Sequence, residues 1–484
     1  MKHPLPRPPV LVAGLGRAGE AVLQAVFNAY GPEGVYAWDA NTASPIQRKA
    51  AAWRARGVEV ALGSDGTEFI PRLERIGTII KSPGIDLDIP LISLAHAAGI
   101  SCIDELEYGW RRADCPVVGV TGTNGKSTTC ALVAAVLRAA SQTCQIVGNT
   151  EFGPPLSACS ANNDVLVCEV SSFQLEASPT FLPEFAIFTN LTPEHLTRHV
   201  TMDNYGAIKS RMFVRDGKTC GVGIVNIDDP YGRNLLASTT AAGGRAISYG
   251  FDSRADVRVT LAEWDVAAAR IRLQYRGQTH ELTTRLPGRH NALNVAAAFA
   301  FGAGAGIDLD PIRAGIEHAD APPGRWQIIT SGEPFDVIVD YAHTPDGLRQ
   351  VLSTAKEIVR RRGSRLHTVF GPVGLPDPPK AAGCASAIAS LSDHIILTTG
   401  SAPRSARILR IKELLDVIKG SSEIDILLSR RTAIERAIAA ARPGDIVAIL
   451  GIGALNRLII DARGTMEPFD DRACALSILK GMRL

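Results

Sequence analysis

Short apolar runs alternate with helical stretches along almost the whole chain, and this alternation restricts the fold more than any other feature. The runs include Val10–Ala13, Val117–Val120, Val165–Val170, Phe185–Phe188, Val222–Val225, Val337–Val339, His394–Leu397 and Ile446–Leu450. Several are apolar at every position, as strands of a parallel sheet covered on both faces must be. Alternating β and α segments predict an α/β protein with parallel sheets. The 484 residues are enough for about three domains. Two breaks divide them. Arg111-Arg112-Ala113-Asp114-Cys115-Pro116 is a polar string before a strand, and Ala321-Pro322-Pro323-Gly324 is a second interruption and a candidate hinge. The expected domains are residues 1–112, 113–321 and 322–484.

Charge and cysteine content exclude several classes. Lys plus Arg is 51 and Asp plus Glu is 49, a formal net charge of +2, which argues against a nucleic-acid binder with a broad basic face. No apolar run approaches a membrane span, and no signal-peptide pattern opens the sequence. The nine cysteines are scattered without a C-x-x-C pair, so neither a disulfide framework nor a zinc site is expected. A cytoplasmic monomer with no nucleic-acid or membrane partner is the plain expectation.

Four segments carry chemistry. Gly14-Leu15-Gly16-Arg17-Ala18-Gly19 follows a strand, with Asp39 twenty residues beyond the last glycine. Such glycines permit a tight turn and let a diphosphate approach a helix N-terminus, as in a Rossmann-like site. The ligand is either a redox dinucleotide or the nucleotide handle of a substrate. The second segment, Val120-Thr121-Gly122-Thr123-Asn124-Gly125-Lys126-Ser127-Thr128, joins a strand to an apolar helix. Its backbone N–H groups can cradle phosphates, Lys126 can neutralise them, and the Ser127 hydroxyl can hold Mg²⁺. It departs from the strict P-loop pattern because Val120 occupies the first glycine position. The third, Cys168-Glu169-Val170-Ser171-Ser172-Phe173-Gln174-Leu175-Glu176, puts Glu169 at a strand end, where a carboxylate can ligate Mg²⁺. The fourth runs from Asn190-Leu191-Thr192 through Glu194-His195 to Arg198-His199. His195 there could meet a metal or a phosphate oxygen, and Lys209 lies ten residues beyond His199.

The order T-G-T-N-G-K-S, E-x-S-S-F-Q-L-E, N-L-T-x-x-H-L-x-R-H, Y-x-x-x-K and Gly288-Arg289-His290-Asn291-Ala292-Leu293-Asn294 resembles the Mur ligases. These are the ATP-dependent amide ligases of peptidoglycan precursor synthesis. The N-terminal Gly-rich motif, Ser82-Pro83-Gly84-Ile85 and Gly148-Asn149 are most similar to the glutamate-adding, MurD-like branch.

The resemblance implies a Rossmann-like N-terminal domain for a UDP-substrate, a central P-loop ATPase domain and a Rossmann-like C-terminal domain for an amino acid. It implies that Gly122, Thr123, Asn124, Gly125, Lys126, Ser127 and Thr128 hold ATP, with Asn291, Arg325 and Asp340 also reaching the nucleotide. Two Mg²⁺ sites are implied at Ser127, Glu169, His195 and Lys209, the last carbamylated. Lys126, Glu169, His195 and Lys209 would be catalytic. A UDP-N-acetylmuramoyl-type substrate would meet Gly14, Leu15, Gly16, Arg17, Asp39, Asn149 and Ser172, and Arg404 would clamp a carboxylate. The implied reaction adds an amino acid, glutamate first, to UDP-N-acetylmuramoyl-L-alanine through an acyl phosphate.

The C-terminal segments depart from that branch. Asp340-Tyr341-Ala342-His343-Thr344-Pro345-Asp346 and Pro468-Phe469-Asp470-Asp471-Arg472 resemble the branch that adds the third residue, which is MurE-like. In that branch D-N-P-R and G-K-G-H-E segments form the amino-acid pocket. Here they are replaced by Ser401-Ala402-Pro403-Arg404 and Gly451-Ile452-Gly453-Ala454-Leu455. The open alternatives are therefore a Mur-type ligase for another acid and amine, inside or outside cell-wall synthesis, or a non-catalytic Mur-like binding protein. A nicotinamide oxidoreductase is suggested by Gly14–Gly19 alone.

Overall fold

The computed structural model describes residues 4–373, 377–401, 406–418, 423–459 and 465–482. The chain forms two compact units, Met1–Arg258 with Ala296–Gly315, and Val259–Val295 with Ile316–Leu484.

The first unit carries two parallel sheets. One comprises β1 (Val10–Ala13), β2 (Val35–Asp39), β3 (Glu59–Leu62), β4 (Thr78–Lys81) and β5 (Ser101–Asp104), in the order β3-β2-β1-β4-β5. This is the strand order of a Rossmann-type sheet. β1 is central and buried at every position, which explains its uninterrupted apolar sequence. The helix Arg17–Tyr30 starts directly behind the Gly-rich turn. A Cβ at Gly19 would lie 1.7 Å from the Gly14 carbonyl oxygen, so only glycine lets the first helical turn sit on that strand end.

The other sheet contains β6 (Val117–Thr121), β7 (Cys144–Gly148), β8 (Val165–Glu169) and β9 (Phe185–Phe188). A small antiparallel hairpin, β10 (Val214–Arg215) with β11 (Lys218–Thr219), precedes β12 (Val222–Asn226) and β13 (Arg245–Gly250). The parallel order is β13-β12-β9-β6-β8-β7. β14 (Val257–Trp264) begins beside β13, with Val257 opposite Tyr249. β6 therefore has a parallel neighbour on each side, with Val120 opposite Glu169 of β8 and Thr121 opposite Phe188 of β9. The helix Lys126–Ala139 covers this sheet with Leu132, Val133, Val136 and Leu137, all buried.

The second unit holds the hairpin of β15 (Ala269–Tyr275) and β16 (Gln278–Thr284). Arg276 and Gly277, both at positive φ, form its two-residue turn, the combination that matches strand twist. Its main sheet comprises β17 (Gln327–Ile329), β18 (Asp336–Asp340), β19 (Leu366–Phe370), β20 (His394–Leu397), β21 (Glu423–Ile426) and β22 (Ile446–Leu450). The order is β17-β18-β22-β19-β20-β21, parallel except for β17. Arg430 and Asp471 form a buried two-pronged pair at 2.7 and 2.6 Å. The same guanidinium donates to the Leu450 carbonyl at 3.0 Å, so the end of β22 is tied to two helices.

All eight apolar runs read from the sequence are strands, with ends moved by one residue in four of them. Val170, for example, leaves β8 for a turn closed by the capping box of Ser171 and Gln174. All nine cysteines are free. Among the described residues no helix is long and apolar enough to cross a membrane.

Buried charge lies where the two sheets of the first unit meet. Asp104 caps the helix Glu105–Arg112, accepting from Leu106 N, and pairs with Lys81 at 3.1 Å with both side chains fully buried. Beside it, Glu105 is buried and accepts from the Ser157 backbone N–H at 2.6 Å. Burial pushes the Glu105 carboxyl up to about 7, so the fold favours its neutral form. A carboxyl raised in the fold weakens stability as pH climbs from its ordinary value, 4.5, through 7. Glu105→Gln is expected to remove this loss, worth about 3 kcal/mol. Denaturant unfolding of both proteins at pH 5 and pH 8 checks it: the variant's relative stability should rise with pH.

Candidate active site

The parallel register brings the ends of β6, β8 and β9 together, and three of the sequence motifs meet there. The loop after β6 opens the helix Lys126–Ala139 through Gly125, which has φ +88°. Gly122 has φ +143°, and a Cβ on it would lie 1.9 Å from Thr189 Oγ1. Only glycine fits that position.

The segment after β9 holds the loop in shape. Thr123 N donates to the Asn190 carbonyl at 2.9 Å. Asn124 N donates to Asn190 Oδ1 at 2.9 Å. Thr189 Oγ1 and Asn190 Nδ2 both donate to the Asn124 carbonyl, at 2.7 and 3.1 Å. Lys126 Nζ donates to the Thr123 carbonyl at 2.9 Å. These bonds fix the shape of a loop that leads directly into a helix N-terminus, the kind of position that receives phosphate oxygens.

Ser127 Oγ donates to Glu169 Oε2 at 2.7 Å, and Glu169 is only 5% exposed. Hydroxyl and carboxylate oxygens are hard donors. Mg²⁺ takes one or two such protein ligands and completes its shell with water and phosphate, so this pair fits that ion. Among the described residues no three His, Cys, Asp or Glu side chains gather into a ready-made metal cage.

Lys209 comes from the helix Met202–Ser210 and is buried, with Nζ donating to the Gly122 carbonyl at 2.9 Å. Nζ also lies 4.6 Å over the Tyr205 ring. Burial, reinforced by the Lys126 charge, holds the Lys209 amine well below the ordinary lysine range, against the pull of Glu169. Tyr205 OH lies 3.3 Å from Thr123 Oγ1, and its ring stacks on His199 at 5.0 Å.

His195 is an exposed residue at φ +58° that opens the short helix Leu196–His199, with its ring 4.7 Å from Phe173. Ser172 is buried, and its hydroxyl lies 2.8 Å from His199 Nε2. Asn149 is exposed, and its backbone N–H donates to the Glu169 carbonyl at 2.8 Å, beside the metal-type pair.

At the first sheet, Leu15 N donates to Asp39 Oδ2 at 2.6 Å and Asn41 N to Asp39 Oδ1 at 2.8 Å. Asp39 thus shapes the Gly-rich loop itself. Arg17 Nη1 donates to the Thr150 carbonyl at 2.7 Å, next to Asn149.

In the second unit, Asp340 ends β18 and accepts from Trp326 N and Ala342 N, both at 2.7 Å. Burial raises its carboxyl, with Arg325 pulling the other way. The Arg325 guanidinium lies 4.6 Å over the Tyr341 ring. Asn291 Nδ2 donates to the Pro287 carbonyl at 2.8 Å and its Oδ1 accepts from Asn294. Arg404 lies outside the described residues.

Sequence reading did not single out Thr189, Asn190 or Tyr205 as loop partners. Asn190 stands inside a quoted motif, and its place at the end of a strand next to β6 was the available signal.

Comparison with known proteins gives the family. Residues 120–302 match the Mur ligase middle domain, and residues 324–453 the Mur ligase glutamate ligase domain. A UDP-N-acetylmuramoyl-L-alanyl-D-glutamate–2,6-diaminopimelate ligase of Syntrophomonas wolfei is 33% identical over 403 residues, covering 77% of this chain and 80% of that protein. The enzyme of the same name from Aquifex aeolicus is 32% identical over 446 residues, covering 86% and 89%. A UDP-N-acetylmuramate–alanine ligase structure from Thermotoga maritima shares the fold with a TM-score of 0.61 at 21% identity, covering 99% of each chain. The two diaminopimelate ligases bear a third-residue name, which corrects the glutamate-adding expectation drawn from the Gly-rich motif, Ser82–Ile85 and Gly148-Asn149; a Gly-rich turn answers to backbone packing and does not identify the amino acid joined. The chain belongs to the Mur ligase family, the ATP-dependent ligases that form amide bonds.

Proposed function

We propose that this ligase acts in the third-residue branch and joins an amino acid to UDP-N-acetylmuramoyl-L-alanyl-D-glutamate, with ATP converted to ADP and phosphate. The observation that carries the branch is the 33% and 32% identity to two ligases of that name over most of both chains. The Asp340–Asp346 and Pro468–Arg472 segments favour the same branch. 2,6-Diaminopimelate is the first amine to test. The replacements at residues 401–404 and 451–455 make a different amino acid the second.

A carboxylate is a poor electrophile. Phosphorylation turns it into an acyl phosphate, and attack by an amine expels phosphate. In this reading Gly122–Thr128 cradle the ATP phosphates and Lys126 neutralises them, while Asn291, Arg325 and Asp340 serve the nucleotide. Ser127 and Glu169 hold one Mg²⁺; His195 and Lys209 hold a second. The metal supplies charge neutralisation on the phosphoryl oxygens. Gly14–Arg17, Asp39, Asn149 and Ser172 belong to the UDP-substrate side. Three sheets support three functional domains with boundaries near residues 112 and 321. Free thiols and the use of ATP suit the cytoplasm.

Lys209 supports carbamylation chemically. Burial favours the neutral form of this amine, and a neutral amine attacks CO₂. Attack forms the N–C bond and releases a proton, and the resulting carbamate is an anion that the Lys126 charge attracts, where the same charge disfavours a protonated Lys209.

Three measurements test this reading. Mass spectrometry of a reaction with the UDP-linked dipeptide, Mg-ATP and mixed amino acids should show one added residue and equimolar ADP. A product formed only from the alanine form and glutamate would restore the other branch, and no ADP with any acid would overturn the ligase reading for this chain. Lys126→Ala and Glu169→Gln should each lower kcat by roughly 10²–10³, the usual cost of losing one electrostatic stabiliser. With ¹³C-bicarbonate, NMR should show a carbamate signal that Lys209→Ala abolishes.

A further inference from the structure

Three sequence motifs converge on a single side chain that none of the roles above uses. Arg198 is largely buried. Its Nε donates to Glu176 Oε1 at 3.0 Å, at the end of the S-S-F-Q-L-E segment. Its Nη1 pairs with Asp86 Oδ1 at 2.7 Å, and its Nη2 donates to the Ile85 carbonyl at 3.1 Å. Ile85 and Asp86 belong to the Ser82-Pro83-Gly84 turn after β4. That turn packs on the first Gly-rich loop: Ser82 N donates to the Ala13 carbonyl at 2.8 Å, and a Cβ on Gly14 would lie 2.6 Å from Ser82 Oγ. The guanidinium carbon of Arg198 lies 4.5 Å over the Phe173 ring centre. His195 lies 4.7 Å from the same ring. Phe173 is thus a plate with Arg198 against it and His195 resting on it.

We propose that Arg198 is a positioning residue that couples the sugar-nucleotide loop of the first sheet to the metal-binding orientation of His195. The proposal rests on the reading above, in which Gly14–Arg17 meets the UDP-substrate and His195 meets Mg²⁺. An Arg fork fixes direction as well as charge. Here it locks the Phe173 plate to Glu176 on one side and to the Ile85–Asp86 turn on the other. A shift of that turn on nucleotide binding is passed to the plate, and so to the imidazole. Coupling of this kind is reciprocal: substrate tightens metal, and metal tightens substrate by the same factor. Lysine keeps the charge but loses the fork and the flat stacking face.

The test uses the full chain with Mn²⁺ as a paramagnetic probe, titrated by EPR in the presence of a non-hydrolysable ATP analogue. Titrations are run with and without the UDP-linked dipeptide. In the parent, the dipeptide substrate should tighten Mn²⁺. In Arg198→Lys this tightening should vanish, Mn²⁺ in the ternary complex should weaken about 5- to 10-fold, and KM for the UDP-substrate should rise more than kcat falls. Asp86→Asn leaves Arg198 in place at an exposed partner, and should lose part of the same coupling while folding normally. Its thermal unfolding gives the fold control, and it carries the test should Arg198→Lys misfold. Variants that keep the parent's substrate-dependent tightening overturn the coupling alone. A parent that binds no Mn²⁺ with nucleotide overturns the metal assignment and the coupling together.

Discussion

A parallel strand with parallel neighbours on both sides is the constraint on which the site depends. β6 can deliver its Gly-rich loop to Glu169 and to Asn190 because β8 and β9 flank it in register. Parallel strands all end on one edge, so chemistry from three distant stretches of sequence gathers there without long loops. The strands must be covered on both faces to exist in that arrangement, and their sequences, apolar up to Thr121 and Glu169 at the ends, satisfy this. The fold and the site therefore share one cause.

That cause also sets what could be read from the sequence. Strands buried on both faces, such as Val117–Thr121 and Ile446–Leu450, announce themselves by composition. The half-exposed strand Gln278–Thr284 alternates buried and exposed positions with polar residues among them, and offers no apolar run. The Gly-rich loops were legible because glycine marks backbone that no side chain tolerates, as at Gly122 and Gly19. Thr189, Tyr205 and Arg198 were not, because their significance lies in partners 22 to 113 residues away. Spacing within a motif cannot reveal such contacts. The branch of the family was legible only in conflict: one end of the chain resembles one branch, the other end another.

That conflict has a physical reading. The first Gly-rich turn is built by packing demands that recur wherever a helix starts behind a strand, as the bonds of Asp39 to Leu15 and Asn41 show. Similarity there reports architecture. The segments that follow β18 and β22, Tyr341–Asp346 and Gly451–Leu455, carry the C-terminal differences between the two branches noted in the sequence. Similarity over most of the length, as in the curated relatives, weighs both kinds of information together.

The bonds around the phosphate-type loop have one more effect. Thr189, Asn190 and Lys209 hold it through side chains belonging to other segments, and glycine at 122 leaves no room for a different packing. A receptor so braced spends little conformational entropy when its guest arrives. Under the ATP reading proposed above, its grip answers to electrostatic fit, and ionic strength, more than chain ordering, is the governing variable.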